Sequence, residues 1–209
     1  MQNELMLRLI EGAAATIESH AEQLTRLDQA IGDGDHGINM ARGFKEVAAQ
    51  KGEIAALPLS KGLQRLGMTL VMKVGGASGP LYGTFFMEMG KAAPATALPT
   101  LLDLSAMLDA GVAGVKARGK AEPGMKTMLD VLCPVADSFR DLVNNEEIDG
   151  LDSRIIAIAG HSLHATTMME AKRGRASFLG PRSVGHIDPG ACSSALLVGS
   201  MIGVLVPQT

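Results

Sequence analysis

Residues 27–40 read Leu27-Asp28-Gln29-Ala30-Ile31-Gly32-Asp33-Gly34-Asp35-His36-Gly37-Ile38-Asn39-Met40. The stretch closes one amphipathic segment and opens the next. It sets three carboxylates, Asp28, Asp33 and Asp35, within eight residues among glycines. Such charges repel: two unit charges ~4 Å apart cost about 4 kcal/mol at an effective dielectric of about 20. Asp28 also falls at the end of a helical pattern, where the macrodipole disfavours an anion. A bound divalent cation removes both penalties, and hard oxygen ligands suit Mg²⁺ or Ca²⁺. A turn whose Asp residues cap a helix is the simpler reading of any one of them. Three together, followed by His36 and Asn39, point to metal. The EF-hand pattern does not fit, because counting from Asp33 the fifth position is Gly37 and the twelfth is Phe44. The stretch reads as a partial cage, completed by water or by a ligand's phosphates.

Outward from this turn, apolar residues recur at helical spacing in both directions. Leu5, Leu9, Ala13, Ile17, Leu24 and Leu27 predict a helix from Asn3 to Asp28, and Met40, Phe44 and Val47 a second from Gly37 to Ala49. A third follows Pro58, from Leu59 to Val74, and Gly75-Gly76-Ala77-Ser78-Gly79 breaks it. Pro80 suits the first turn of a fourth, which continues to Ala92. Four more cover Leu101–Arg118, Thr127–Asn144 with a kink at Pro134, Asp152–Lys172 and Asp188–Val206. No stretch alternates with period two. The expected fold is all-α, eight helices in one domain over residues 1–209.

Composition agrees. Nearly half of the residues are apolar (46%), yet there is no Trp, one Tyr and five Phe, so Ala, Leu, Met and Gly must fill closely packed helices. A net charge of −3 gives no reason to expect a nucleic-acid partner. Cys133 and Cys192 lie in apolar helical patterns without metal-ligand spacing and read as buried, reduced thiols. Met1-Gln2-Asn3-Glu4 lacks the basic start of an export signal. The 16-residue apolar run Ala191–Val206, interrupted by Ser193, Ser194 and Ser200, is short for a membrane span and reads as a core helix. A cytoplasmic location without membrane attachment is expected.

In an up-and-down arrangement of eight helices, connections one, three, five and seven emerge at one end. These are GDGDHG, VGGASGP, ARGKAEPGMK and KRGRASFLGPRSVGHIDPG, whereas QKGEIAALP, APATALP and NNEEIDG carry nothing that looks like a site. The glycine-rich, charged loops therefore gather at one mouth. Connection three offers helix-terminal N–H groups and the Ser78 hydroxyl to an anion. Connections five and seven supply Arg118, Lys120, Lys126, Lys172, Arg173, Arg175 and Arg182. Cations opposite a carboxylate-bound metal describe how proteins hold a metal–polyphosphate. Gly114–Ala121 nearly spells a Walker A motif, but Ala121 replaces the required Ser/Thr and a helix precedes it. His36 and His186 fall beside the expected site, while His161 and His164 sit mid-helix and read as core or surface.

The segments GDGDHGINMARGF, GGASGPLYGTFF, RGKAEPGMKTMLD and RGRASFLGPRSVGHIDPGA, in this order, resemble the nucleotide-binding L subunit of dihydroxyacetone kinases over nearly the whole chain. The resemblance implies a closed barrel of eight antiparallel up-and-down helices with ADP or ATP and two Mg²⁺ at one end. Asp28, Asp33 and Asp35 would ligate the ions, and His36, Gly37, Ile38 and Asn39 would flank the nucleotide. Ala77 and Ser78 would hold phosphate oxygens, and Gly119 and Met128 would line the pocket. Arg175 would contact the phosphates and act as the catalytic cation, and Asp188, Pro189 and Gly190 would close over the nucleotide. Met125 departs from the Asp that the family usually has.

The implied activity is a kinase half-site that passes a phosphoryl group to dihydroxyacetone on a separate K-type subunit. A phosphohistidine carrier (M-type) subunit would recharge ADP in place, and a homodimer is a further implied assembly. Alternatives are an ATP-dependent kinase subunit for another short ketose such as erythrulose, the nucleotide domain of a fatty-acid kinase, or a module whose nucleotide state is read by a transcription factor.

Overall fold

The computed structural model describes residues 2–95 and 98–205. Among these the chain forms ten α-helices, two 3-10 segments and no strand. The helices are α1 (Gln2–Ser19), α2 (Ala21–Ile31), α3 (His36–Ala49), α4 (Lys51–Ala55), α5 (Leu59–Lys73), α6 (Ser78–Ala92), α7 (Leu101–Gly119), α8 (Leu129–Asn144), α9 (Leu151–Ala165) and α10 (Pro189–Leu205). They make eight staves, since α1 and α2 both pack on α3 and α10, and α4 is a short turn inside the second connection. Each stave packs on the next, and α10 closes the ring against α1. Buried Met6, Ile10 and Ile17 of α1, Phe44 of α3, Leu70 of α5 and Ile155 of α9 face one shared core. Each such side chain contributes about 1.5–3 kcal/mol on leaving water.

Small residues set how closely the staves approach. A Cβ on Gly67 of α5 would lie 2.5 Å from the Gly83 carbonyl of α6, and one on Gly83 would lie 2.7 Å from the Gly67 carbonyl. Gly37 plays the same part where α3 crosses α2: a Cβ there would collide with the Ala21 carbonyl and with Thr25. Gly37→Ala is therefore expected to destabilise the fold by on the order of 3 kcal/mol, because backbone cannot yield as a side-chain tip can. Thermal melts of the ligand-free chain check this.

Three boundaries differ from the sequence reading. The first helix breaks at His20, where the Ser19 hydroxyl (3.0 Å), the His20 ring (2.8 Å) and the His20 N–H (3.3 Å) compete for the Thr16 carbonyl. The second connection holds α4, anchored by buried Ile54 and Ala55. The seventh helix ends at Ala165, and a 3-10 turn, Thr166–Met168, leads into extended Met169. Helix α8 runs through Pro134 as one element. Of the expected last helix, Val206 lies outside the described residues, as do Thr96 and Ala97 of the fourth connection. No described helix is long and apolar enough to cross a membrane.

Candidate metal and anion site

The first, third, fifth and seventh connections line one cleft of about 630 Å³ at a single end of the barrel. Of the expected site residues, Asp28, Asp33, Asp35, His36, Ala77, Ser78, Gly119, Met128, Arg175, Asp188, Pro189 and Gly190 line it. Gly37, Ile38 and Asn39 are not in the lining. Gly37 is pressed on α2, Ile38 is 61% exposed on the outside, and Asn39 is buried beneath Gly75, whose Cβ would meet its Oδ1 at 2.6 Å. Asn39 thus supports the third connection from below.

Each carboxylate has a distinct setting. Asp28, buried near the end of α2, accepts the Asp35 N–H (2.9 Å) and the His36 N–H (3.0 Å) on one oxygen, which folds the loop back on itself. Gly34, at φ +76°, makes the left-handed turn this requires. Asp35 stands at the N-cap of α3, yet its side chain makes no capping bond. The simplest structural use of that Asp is therefore not taken. Oxygen atoms of Asp28, Asp33 and Asp35 come within 4.8 Å of one another, a set of hard donors that suits a divalent cation.

Opposite, Arg175 reaches Asp33 at 2.9 Å from the start of a 3-10 segment, Arg175–Ser183. An exposed pair of this kind contributes roughly 0–1 kcal/mol, so the guanidinium is readily available to an anion. Arg173 and Arg118 also line the cleft. The wall between them is the third connection. Gly76 is left-handed (φ +65°), α6 begins at Ser78, and its first turn leaves N–H groups without intrahelical partners.

Two expected cations are used otherwise. Lys126 is only 1% exposed, and its Nζ donates to the carbonyls of Thr166 (2.7 Å), Met169 (3.1 Å) and His186 (2.5 Å). It clamps the fifth connection to the seventh, beside the 3-10 turn that follows α9. Lys172 pairs with Glu170 at 2.7 Å. His186 offers its carbonyl to the clamp, and its side chain, like those of His161 and His164, is exposed. The carboxylate of Asp130 holds the fifth connection by accepting from Gly124 (2.5 Å) and Thr127 (2.7 Å). Met125 packs against the core there. Both cysteines are buried and free, and burial pushes each thiol up to about 11.

Asp188 caps α10, accepting the Ala191 N–H at 2.7 Å. Burial pushes its carboxyl up to about 7 from 3.8, against the hydrogen bond from Ala191, and the negative charge of Asp130 adds to the rise. The folded state thus prefers the neutral acid. That stabilises the fold fully below about 3.8, and the contribution is lost as pH rises through about 7. Asp188→Asn keeps the capping oxygen and cannot ionise. The melting temperature of the variant minus that of the wild type, in chelator, should become more positive from pH 4 to about 7 and then level off.

The sequence reading overlooked Tyr82, Ser193 and Asp130. Tyr82 is the single tyrosine of the chain, and Ser193 is one of two adjacent hydroxyls in a mostly apolar helix that also carries Ser200. Burial lowers the pKa of His36, the neighbouring Asp28 and Asp35 opposing it, and raises that of Tyr82.

Fold and cleft together define the class: a closed helical barrel with a carboxylate cluster facing a glycine-walled, arginine-rimmed cleft at one end. The chain belongs to the DAK2 domain family, whose profile matches residues 30–203. It is 42% identical, over 94% of this chain and 93% of the relative, to the PEP-dependent dihydroxyacetone kinase 1, ADP-binding subunit DhaL, of Listeria innocua. It is 47% identical to the corresponding PEP-dependent ADP-binding subunit of Escherichia coli, over 84% of each chain. Among solved structures, the dihydroxyacetone kinase from C. freundii in complex with AMP-PNP and Mg²⁺ shares the fold, with a TM-score of 0.75 and 24% identity over 97% of this chain. The present chain spans about a third (34%) of that protein.

Proposed function

We propose that this chain, as one nucleotide-binding unit over residues 1–209, is the ADP-binding subunit of a dihydroxyacetone kinase. The observation that carries this reading is the convergence of three carboxylates, a glycine-walled helix start and Arg175 on one cleft, and the two bacterial ADP-binding subunits support it. Asp28, Asp33 and Asp35 hold Mg²⁺, as two ions sharing the cluster. Bound there, the metal supplies charge neutralisation for the phosphates. The Ser78 hydroxyl and the first N–H groups of α6 hold phosphate oxygens, Arg175 faces the terminal phosphate, and Met128 and Gly119 line the space for the remainder of the nucleotide. Catalysis on this side is positioning and electrostatic stabilisation.

Dihydroxyacetone is presented by a K-type subunit, and the reaction takes place in the cytoplasm. The description of both bacterial relatives as PEP-dependent favours ADP that stays bound and is recharged by an M-type phosphohistidine carrier. Release of labelled ADP from the purified chain tests this. Slow release that a chelator accelerates is expected. Rapid Mg²⁺-dependent exchange with ATP would replace the recharged-in-place donor with direct ATP use. Absence of binding with Mg²⁺ present would overturn the reading.

A further inference from the structure

Beneath the cleft floor runs a buried chain of hydroxyls. Ser194 Oγ lies 2.8 Å from the Tyr82 OH, Tyr82 OH 2.7 Å from Ser193 Oγ, and Ser193 Oγ 2.9 Å from His36 Nε2. On the other side of the ring, His36 Nδ1 lies 3.0 Å from Ser78 Oγ, which lines the cleft. Tyr82, Ser193 and Ser194 are at most 2% exposed, so each proton on this path needs an acceptor. The Tyr82 oxygen is the one side-chain partner of the Ser194 hydroxyl among the described residues, which makes Ser194 the donor. Tyr82 then passes its proton to Ser193 at 2.7 Å, a better path than the 3.2 Å to the Gly190 carbonyl. Ser193 in turn donates to Nε2 at 2.9 Å, a shorter path than the 3.1 Å to the Gly190 carbonyl. A neutral ring that accepts at Nε2 carries its proton on Nδ1 and donates it to Ser78. Ser78 Oγ, already accepting, then has its own proton to give to the cleft.

We propose that Tyr82 and Ser193 are positioning residues that act through the His36 tautomer to present the Ser78 proton to a phosphate oxygen of the bound nucleotide. The reversed arrangement has Nε2–H donating to Ser193 and the Ser78 proton spent on Nδ1, so Ser78 would meet the phosphate with lone pairs only. The ring is neutral in both, and direction alone separates them. The proposal rests on the nucleotide reading of the cleft.

Nitrogen-15 spectra of the histidine-labelled chain with Mg²⁺-ADP test it, since protonated and unprotonated ring nitrogens differ widely in shift. The expected result is a protonated Nδ1 and a bare Nε2. Tyr82→Phe vacates the lone pair of Ser193 that the Tyr82 proton occupied, so Nε2–H can donate there while Ser193 donates to the Gly190 carbonyl 3.1 Å away, and the ring moves toward Nε2–H. Affinity for Mg²⁺-ADP should fall about tenfold, the scale of one hydrogen bond. Adenosine affinity should not change. Ser78→Ala should cost a similar factor, and the double variant no more than Ser78→Ala alone.

A protonated Nε2 in the wild-type complex would overturn the proposal, and that spectrum needs no variant to fold. Additive losses in the double variant would also overturn it, by reducing Tyr82 to a packing role. A wild type that does not bind Mg²⁺-ADP would overturn the functional reading itself, which the first titration reveals before any variant is made.

Discussion

Replacing Asp33 and Asp35 together by Asn weakens Mg²⁺-ADP binding by at least a hundredfold, a loss of about 3 kcal/mol. These two are the informative pair. Asp28 also receives the N–H groups of Asp35 and His36 on one oxygen, so its removal would unfold the loop as well as strip a ligand. Asp33 and Asp35 are exposed, and Asp35 forgoes its capping bond. Removing their charge relieves repulsion among three carboxylates within 4.8 Å of one another. The ligand-free double variant should therefore melt no lower than the wild type while losing the stabilisation that Mg²⁺-ADP confers. Titration calorimetry and melts with and without Mg²⁺-ADP read both effects. Unchanged affinity would sink the assignment of these carboxylates to the metal.

The second large effect is on stability. Lys126→Met strips an ammonium, on a side chain only 1% exposed, from three carbonyls, those of Thr166, Met169 and His186. The Thr166 carbonyl keeps the Met169 N–H (3.2 Å), so two acceptors are left unsatisfied, and at about 1 kcal/mol or more for each the cost is roughly 2 kcal/mol. For a chain of 209 residues that lowers the melting temperature by about 4–8 °C. The same change unpins the seventh connection, so trypsin should cut at Lys172, Arg173, Arg175 and Arg182 sooner than in the wild type. Lys126→Arg should not rescue, because a planar fork cannot serve three carbonyls that converge on one ammonium. Burial holds the Lys126 pKa below its ordinary value, with Asp188 and Asp130 opposing that shift. If Lys126→Met melts like the wild type, Lys126 is not the clamp.

Much of this molecule is written locally. Apolar residues at helical spacing from Leu5 to Leu27 and from Met40 to Val47 are a property of nearest neighbours, and they gave the staves. The three carboxylates lie within eight residues, so their mutual repulsion and the metal it implies need no tertiary information. Helix parity then placed the loaded loops at one mouth, where the cleft is found.

What stayed hidden depends on contacts between residues far apart in the chain. Lys126 and Arg175 read alike as cations of the mouth. Only the fold shows that one is buried against carbonyls 40 to 60 positions away, while the other lies exposed across the cleft from Asp33. The motif marks Asn39 and Gly37 as flanking the nucleotide, and only the fold shows that Asn39 also holds up the third connection and that Gly37 seats α3 on α2. Tyr82 sits inside the GGASGPLYGTFF segment without any sign of its role, Ser193 lies outside every such segment, and 111 residues separate them. Side-chain type and spacing decide which helices form and which charges must be neutralised. The direction in which a polar side chain finds its partner is decided only when the barrel closes, because burial makes each donor and acceptor take whatever the neighbouring stave presents.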